Sequence, residues 1–425
     1  MTTTGSVSVV PRFPQHPRCA TCLFFLSVRP LLLIFLVGLL AACTTIRAVQ
    51  TVYGGKSYGP PESQIPFTLN EHPILIKTLL NESPQRYTLV LDTGSITVIR
   101  AEVARALGLP DGVEVKAHGS GGGSKRIRLA KLNRIVVGDM EVKNTAAGII
   151  EFPELFPSGV AGILGSTFLR HFRVTIDYQK REIRLSKSRA AVADDGRDSA
   201  ISFDIDPRSG FAPIIGCKID GNIEAQAMID TGAVGISLPD SILRKTRAYQ
   251  AGKVLRANGS MSGGMFGAAS RSEAVLLNEL TIGDIPYTDI PVTSHAGLKY
   301  VLLGNRFLRN FVVTLDYPAK RLTLKPVRTG FSHQLLSYGL ALSKEDGKTV
   351  VSGIWEGSSA AESDLGPRDE VLKINSEDVA DKSLLELMVR LVDPKQNTLK
   401  IEFIGDNGIQ KTIVHKRELF PARVK

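Results

Sequence analysis

The tripeptide Asp-Thr-Gly occurs twice, at Asp92-Thr93-Gly94 and at Asp230-Thr231-Gly232, each time closing an apolar run: YTLVLDTGSITVI from Tyr87 and AQAMIDTGAVGISL from Ala225. An apolar strand that ends in Asp sets a carboxylate at the mouth of a core, and the following Thr and Gly permit a tight turn with backbone close to backbone. If two such turns face each other, their carboxylates cannot both ionise; they share one proton and titrate as a pair. The ionised member can then deprotonate a water held between them while the protonated member donates to an amide carbonyl oxygen. That is peptide hydrolysis without a covalent intermediate.

The two tripeptides belong to a longer repeat. ILGSTFLRHFRVTIDYQKREIRLSK from Ile163 returns as LLGNRFLRNFVVTLDYPAKRLTLKP from Leu302, an offset of 139, and Asp92 and Asp230 are offset by 138. A unit of roughly 130 residues is too long for a solenoid module, so two homologous lobes are expected. Most of each unit reads as strand: ILIKTLL, YTLVL, RIRLAKLNRIVV and FRVTIDYQKREIRL alternate or run apolar, rich in β-branched residues and bounded by Gly, Pro, Asn and Asp. Short helices fit Ile99 to Leu107 and Ser166 to Phe172. Asp177-Tyr178-Gln179-Lys180 and Asp316-Tyr317-Pro318-Ala319 read as hairpin turns, which gives Asp177 and Asp316 a structural rather than a chemical place.

With Val90-Leu91-Asp92-Thr93-Gly94-Ser95 followed by Ile163-Leu164-Gly165, and Met228-Ile229-Asp230-Thr231-Gly232-Ala233 followed by Leu302-Leu303-Gly304, the chain closely resembles the aspartic proteases, particularly the retropepsin-like bacterial group. The resemblance covers roughly residues 66–327. It implies two β-rich lobes with the cleft between them, Asp92 and Asp230 as the catalytic pair, and no cofactor or metal. It also implies that Thr93 and Thr231 cross-brace the turns, with Gly94, Ser95, Gly232 and Ala233 supporting them, and that Gly165 and Gly304 lie against the turns as structure. Ser95 can hydrogen-bond Asp92 where Ala233 offers Asp230 nothing, so Asp92 is expected to hold the negative charge. One chain carries both carboxylates, and a monomer suffices for the pair.

Each unit also carries a glycine cluster, His118-Gly119-Ser120-Gly121-Gly122-Gly123 and Asn258-Gly259-Ser260-Met261-Ser262-Gly263-Gly264. Neither runs on into Gly-Lys-Ser/Thr, so a phosphate cradle lacks its parts. In the aspartic-protease frame these positions match flaps that close over peptide, with Gly119, Gly121, Gly122, Gly263 and Gly264 at the tips; the alternative is a pair of flexible loops. HExxH, GxSxG and paired CxxC steps are missing from the sequence after residue 42, and the seven His are scattered, which removes the usual zinc and serine hydrolase readings.

After Gly330 the composition changes. SYGLAL from Ser337 and TVVSGIWEGSSAAESDLGPRDEVLKINSEDV from Thr349 resemble a PDZ domain, which implies a peptide-binding loop and strand at Tyr338, Gly339, Leu340, Ala341 and Leu342 and a groove helix at Ser383 to Val392. Gly357 to Ala361 is expected to step into a short helix, and Trp355 to be core. A peptide end would add as a strand to the exposed edge. The alternative is a domain that only packs on the lobes or caps the cleft.

The N-terminus reads LLLIFLVGLLAA from Leu31, then Cys43. This apolar run has signal-peptide length, and Leu40-Ala41-Ala42-Cys43 resembles the lipobox of bacterial lipoproteins, which implies lipidation of Cys43; an uncleaved anchor that also uses Leu23 to Leu26 is the alternative. Either places the body outside the cytoplasm, in the bacterial cell envelope facing the periplasm or exterior. Removing residues 1–42 lowers the net charge from +10 to +7 and leaves Cys217 as the one thiol besides Cys43. No basic stripe with interleaved aromatics points to nucleic acid.

The expectation is therefore a mainly β chain: two homologous β-rich acid-protease lobes in tandem plus an α+β PDZ-like domain. Its segments are 1–42 signal peptide, 43–65 flexible tether reaching on the order of 30 Å, 66–189 first lobe, 190–328 second lobe and 329–421 PDZ-like domain. The expected function is an envelope aspartic endopeptidase acting on peptides or proteins; a noncatalytic envelope peptide-binding or scaffold protein is the alternative.

Overall fold

The computed structural model describes residues 53–69, 72–119, 123–152, 155–157, 159–187, 200–206, 209–261, 263–264, 267–268, 272–295, 297–327 and 335–420. The expected signal peptide, Cys43, Gly121 and Gly122 lie outside the described residues.

Ten strands of the first lobe recur in the second. The first set is β1 (Glu62–Pro66), β2 (Ile74–Leu80), β3 (Arg86–Leu91), β4 (Val98–Arg100), β5 (Val113–His118), β6 (Ser124–Val137), β7 (Met140–Ile150), β8 (Val160–Leu164), β9 (Arg173–Asp177) and β10 (Glu182–Ser186). The second set is β11 (Ile201–Ser202), β12 (Pro213–Ile219), β13 (Ile223–Ile229), β14 (Ile236–Pro239), β15 (Leu255–Gly259), β16 (Glu273–Ile282), β17 (Ile285–His295), β18 (Val301–Leu303), β19 (Phe311–Asp316) and β20 (Arg321–Pro326). Short helices follow β4, β8 and β18: α1 (Ala101–Ala106), α2 (Ser166–Leu169) and α3 (Asn305–Leu308). The two helices expected in the first unit thus form, each shorter than its apolar stretch.

In each lobe one strand is inserted between two others. β8 runs parallel to β3, with Leu164 opposite Leu91, and antiparallel to β4; β18 does the same between β13 and β14, with Leu303 opposite Ile229. Buried on both faces, β8 is apolar throughout, as VAGIL requires. The last residues of β3 and β13 are thereby fixed, and the Asp that follows each leaves the sheet at a set point.

The lobes are joined by a six-stranded antiparallel sheet in the order β11, β20, β19, β9, β10, β1, symmetric about its centre. There Thr175 pairs with Thr314, their hydroxyls 3.1 Å apart. Val174, Ile176, Val313 and Leu315 carry one apolar core from lobe to lobe. Asp177 accepts from the amides of Gln179 and Lys180, and Asp316 from that of Ala319, the hairpin role their context suggested.

The expected tether is shorter than 43–65. Lys56–Tyr58 pairs with β7, and β1 pairs with β10 and buries Ser63 and Ile65 in alternation. The Gly and Pro residues that suggested coil punctuate two short strands; β1 supplies the outer strand that β11 supplies on the far side.

The C-terminal module comprises β21 (Leu340–Glu345), β22 (Lys348–Trp355), β23 (Glu370–Ile374), α4 (Leu384–Val392), β24 (Thr398–Gly405) and β25 (Gly408–His415). Ser383 caps α4 in a capping box with Glu386. Gly357 to Ala361 forms turns rather than the expected helix, with the Ser358 hydroxyl accepting from the Ala361 amide. Short side-chain bonds of this kind compete with helix formation. Trp355 is 4% exposed and packs on Ala257 and Ala274 of the second lobe, a core place as expected.

Arg173 and Asp316 face each other across the central sheet at 2.8 Å, with side chains 19% and 8% exposed. Removing one member leaves the other charged and poorly hydrated. Asp316→Ala is expected to cost about 3 kcal/mol in denaturant unfolding, and a loss below about 1 kcal/mol would show that the pair contributes no more than an exposed one.

Candidate active site

β3 and β13 deliver Asp92 and Asp230 to one place. Asp92 N–H donates to Leu164 O at 3.0 Å and Asp230 N–H to Leu303 O at 3.1 Å, so the inserted strands hold the first residue of each turn. Gly165 and Gly304 then press on the turns: a Cβ on Gly165 would lie 2.3 Å from Ser95 O, and one on Gly304 would lie 2.6 Å from Ala233 O. The apolar-Gly steps lie beneath the turns as structure.

The threonines cross between lobes. Thr93 N–H donates to Thr231 Oγ1 and Thr231 N–H to Thr93 Oγ1, both at 3.0 Å, while the hydroxyls donate to Ile229 O at 2.7 Å and Leu91 O at 3.0 Å. All four bonds are buried, so each unmade one would cost about 1–3 kcal/mol. They fix the separation of the turns.

Held so, the carboxyls meet. Asp92 and Asp230 hydrogen-bond each other, and each lies against the glycine of the opposite turn. A Cβ on Gly94 would sit 2.7 Å from Asp230 Cγ, and one on Gly232 would sit 2.6 Å from Asp92 Cγ, so neither glycine can carry a side chain. Gly94 N–H donates to Asp92 Oδ1 at 2.8 Å; Gly232 and Ala233 N–H donate to Asp230 Oδ1 at 2.8 and 3.1 Å. Burial is the main cause that raises both carboxyls above the usual range, and the charge of Asp92 pushes Asp230 higher. The proton belongs on Asp230, which then donates to Asp92.

Ser95 has a lesser part in this than its position suggested. Its hydroxyl donates to Ile96 O at 2.8 Å, and its effect on Asp92 ranks below burial, the Gly94 amide and the bond from Asp230.

Three residues that the sequence did not single out brace the Asp230 turn. Asn305, directly after Gly304, donates to Thr231 O at 2.6 Å, accepts from Tyr178 OH at 2.7 Å and contacts His72 Nδ1 at 3.0 Å. His72 also hydrogen-bonds the Gly232 backbone; burial, helped by Arg309 and Arg306, lowers its pKa to about 4 and keeps it neutral. In the first copy, Ser166 stands where Asn305 does and donates to Ser95 O and Gly210 O, while the buried Tyr317 hydroxyl has no partner among the described residues. The available signal was a difference between copies, Gly-Ser against Gly-Asn.

The two glycine clusters part company. In the first lobe β5 and β6 pair to the tip, His118 opposite Ser124, with Gly119 N–H donating to Gly123 O at 2.9 Å. In the second, β15 and β16 pair at Leu255–Ala274 and Arg256–Glu273, Ala257 N–H donates to Ser272 O at 3.0 Å, and Gly263 and Gly264 form a separate small ladder with Gly267 and Ala268. In the module, Tyr338, Leu340 and Leu342 turn their side chains into its core. They leave only backbone and the half-buried Ala341 at the loop, where Gly339 has φ +88°. Among the described residues no group of three or more His, Cys, Asp or Glu could hold a metal ion.

Residues 76–168 match the family described as aspartyl protease, and residues 215–310 match the gag-polyprotein putative aspartyl protease, one lobe each. No curated protein matches the chain. The two matches, one on each Asp-Thr-Gly lobe, support a retropepsin-like protease.

Because both carboxyls hold their proton to higher pH when folded than when unfolded, folding takes up proton. The associated stability is present below the ordinary carboxylate range, near pH about 4, and is lost as pH rises through the raised values. Asp230→Asn is therefore expected to melt at a higher temperature than the wild type at neutral pH, the gap closing as pH falls to about 4. A gap independent of pH would show that the pair is not raised.

Proposed function

We propose that the chain is an aspartic endopeptidase of the bacterial cell envelope. A water bound between Asp92 and Asp230 is deprotonated by Asp92 and attacks the peptide carbonyl, whose oxygen takes the proton of Asp230. The tetrahedral gem-diol collapses with cleavage of the C–N bond: the proton gained by Asp92 passes to the leaving nitrogen, and one gem-diol hydroxyl returns a proton to Asp230 as the carbonyl re-forms. The observation that carries this reading is the contact of the two carboxyls, each against the glycine of the opposite turn. The family matches on both lobes support it.

Peptide or protein substrates would lie in the cleft, and the anchor is a lipid on Cys43, which the lipobox-like Leu40-Ala41-Ala42-Cys43 supports. The C-terminal module is read as PDZ-like, binding substrate or regulatory peptide. One edge of β21 pairs with β22 and α4 packs beside β21, an arrangement suited to strand addition through backbone.

The purified chain is expected to cleave an unfolded protein, and Asp92→Asn and Asp230→Asn each to lose at least about a hundredfold in kcat. Retained cleavage in Asp230→Asn would sink the dyad, and absence of cleavage in the wild type would favour a peptide-binding protein. In bacterial cells, Cys43→Ala is expected to abolish incorporation of labelled fatty acid and release the chain from membranes; unchanged labelling would place the lipid elsewhere.

A further inference from the structure

We infer that the C-terminal module closes one end of the interlobe cleft, so that the site accepts an extended polypeptide on one side of the dyad and only a short stub on the other. The inference rests on the peptidase reading and narrows its substrates to chains cut near one end.

α4 has two apolar faces. Leu384, Leu387 and Leu391 pack into the module's own core. Leu385, Met388, Val389 and Val392, spaced three or four apart on a different face, line a recess with His72, Val234, Arg306 and Arg309 of the protease lobes. Leu385 is 7% exposed although it stands outside the module core. A helix that serves only its own module would show solvent-facing polar residues there.

That recess adjoins the site. Val234 lies two residues beyond Gly232, whose backbone His72 holds, and Arg306 stands next to Asn305, which binds Thr231 O. In its first turn α4 also reaches the first lobe, where Leu385 N–H donates to Leu155 O at 2.8 Å. Leu155 sits between β7 and β8, beside Phe152 and Phe156, which pack against the first-lobe cluster that includes Val90, Val98 and Ile163. The helix thus bridges one lobe to the other beside the carboxyl turns.

The module also holds the strand that leads into the second glycine cluster. On its other edge β15 pairs with β22, Ala257 opposite Trp355, Asn258 opposite Ile354 and Gly259 opposite Gly353, while Ala257 N–H still donates to Ser272 O at 3.0 Å on the β16 side. Ser260 N–H donates to Ser352 O at 2.7 Å, and Ser352 Oγ donates to Ser260 O at 2.9 Å. A Cβ on Gly353 would lie 2.6 Å from Ser260 O, so the approach needs glycine. By contrast, no module strand joins the ladder of the β5–β6 hairpin among the described residues.

His72 and Val234 across the recess, Leu155 of the first lobe and β15 of the second therefore all meet the module. An extended peptide advances about 3.3 Å per residue, and a helix with its side chains is about 10 Å across. α4 displaces roughly three residues of substrate from that end.

The test is a set of peptides sharing one cleavable bond and lengthened residue by residue on either side. For the wild type, kcat/KM is expected to fall about tenfold or more (1.4 kcal/mol per decade) beyond a short extension on one side and to hold steady on the other. Met388→Glu with Val389→Glu puts charge on the face that meets the lobes and leaves Leu384, Leu387 and Leu391 in place, so it is expected to remove the fall without changing cleavage of the shortest peptide. Gly353→Val, which parts β22 from β15, is a second route to the same result if the first variant melts early. Equal tolerance on both sides, or an asymmetry that neither variant alters, overturns the inference. Binding of the same set to Asp92→Asn, followed by calorimetry, reads the asymmetry without turnover. If nothing is cleaved, the peptidase reading falls and the calorimetric series decides the closed end.

Discussion

Two carboxyls in contact, both largely shut off from water, are the arrangement on which the molecule turns. Such a pair is stable only with one proton between its members and with turns that cannot drift apart. The reciprocal threonine bonds supply that constraint, since Thr93 and Thr231 each accept the other's amide and donate to the strand end of the opposite lobe. The same closeness dictates Gly94 and Gly232. It also explains why the lobes share a sheet: β9 and β19, paired through Thr175 and Thr314, make the relative placement of the halves a matter of strand register rather than of loop flexibility.

Around the carboxyl turns the symmetry is kept in the backbone and relaxed in the side chains. Leu164 O and Leu303 O hold Asp92 and Asp230 alike, yet the second turn alone has the buried Tyr178, Asn305 and His72 network, and the Asp230 carboxyl alone accepts from two turn amides. The amides favour ionisation of Asp230, whereas burial and the facing charge of Asp92 oppose it; the latter prevail because a second charge at contact distance in a buried site outweighs one more hydrogen bond.

Much of this was legible in the sequence. The repeat offset gave the lobes, the apolar runs gave β2, β3, β6 and the hairpin of β9 and β10, and the paired tripeptides gave the carboxyls, because each is a local pattern. What escaped was nonlocal. β1 was hidden by neighbouring Gly and Pro, since the pairing that makes it a strand lies with β10, far along the chain. His72 has no counterpart in the repeat, and its place beside Gly232 follows from the lobes closing on each other. The two glycine clusters look alike as sequence, but β15 is claimed by β22, a partner that only the folded chain brings near.

A homodimer built on one such lobe must apply each substitution to both halves of its symmetric interface at once. Here the six-stranded sheet welds two separately encoded halves, so a residue can change on one flank alone, as Ala233 for Ser95 and Asn305 for Ser166 illustrate. The palindrome is broken at the level of the gene, and left and right are free to acquire separate duties.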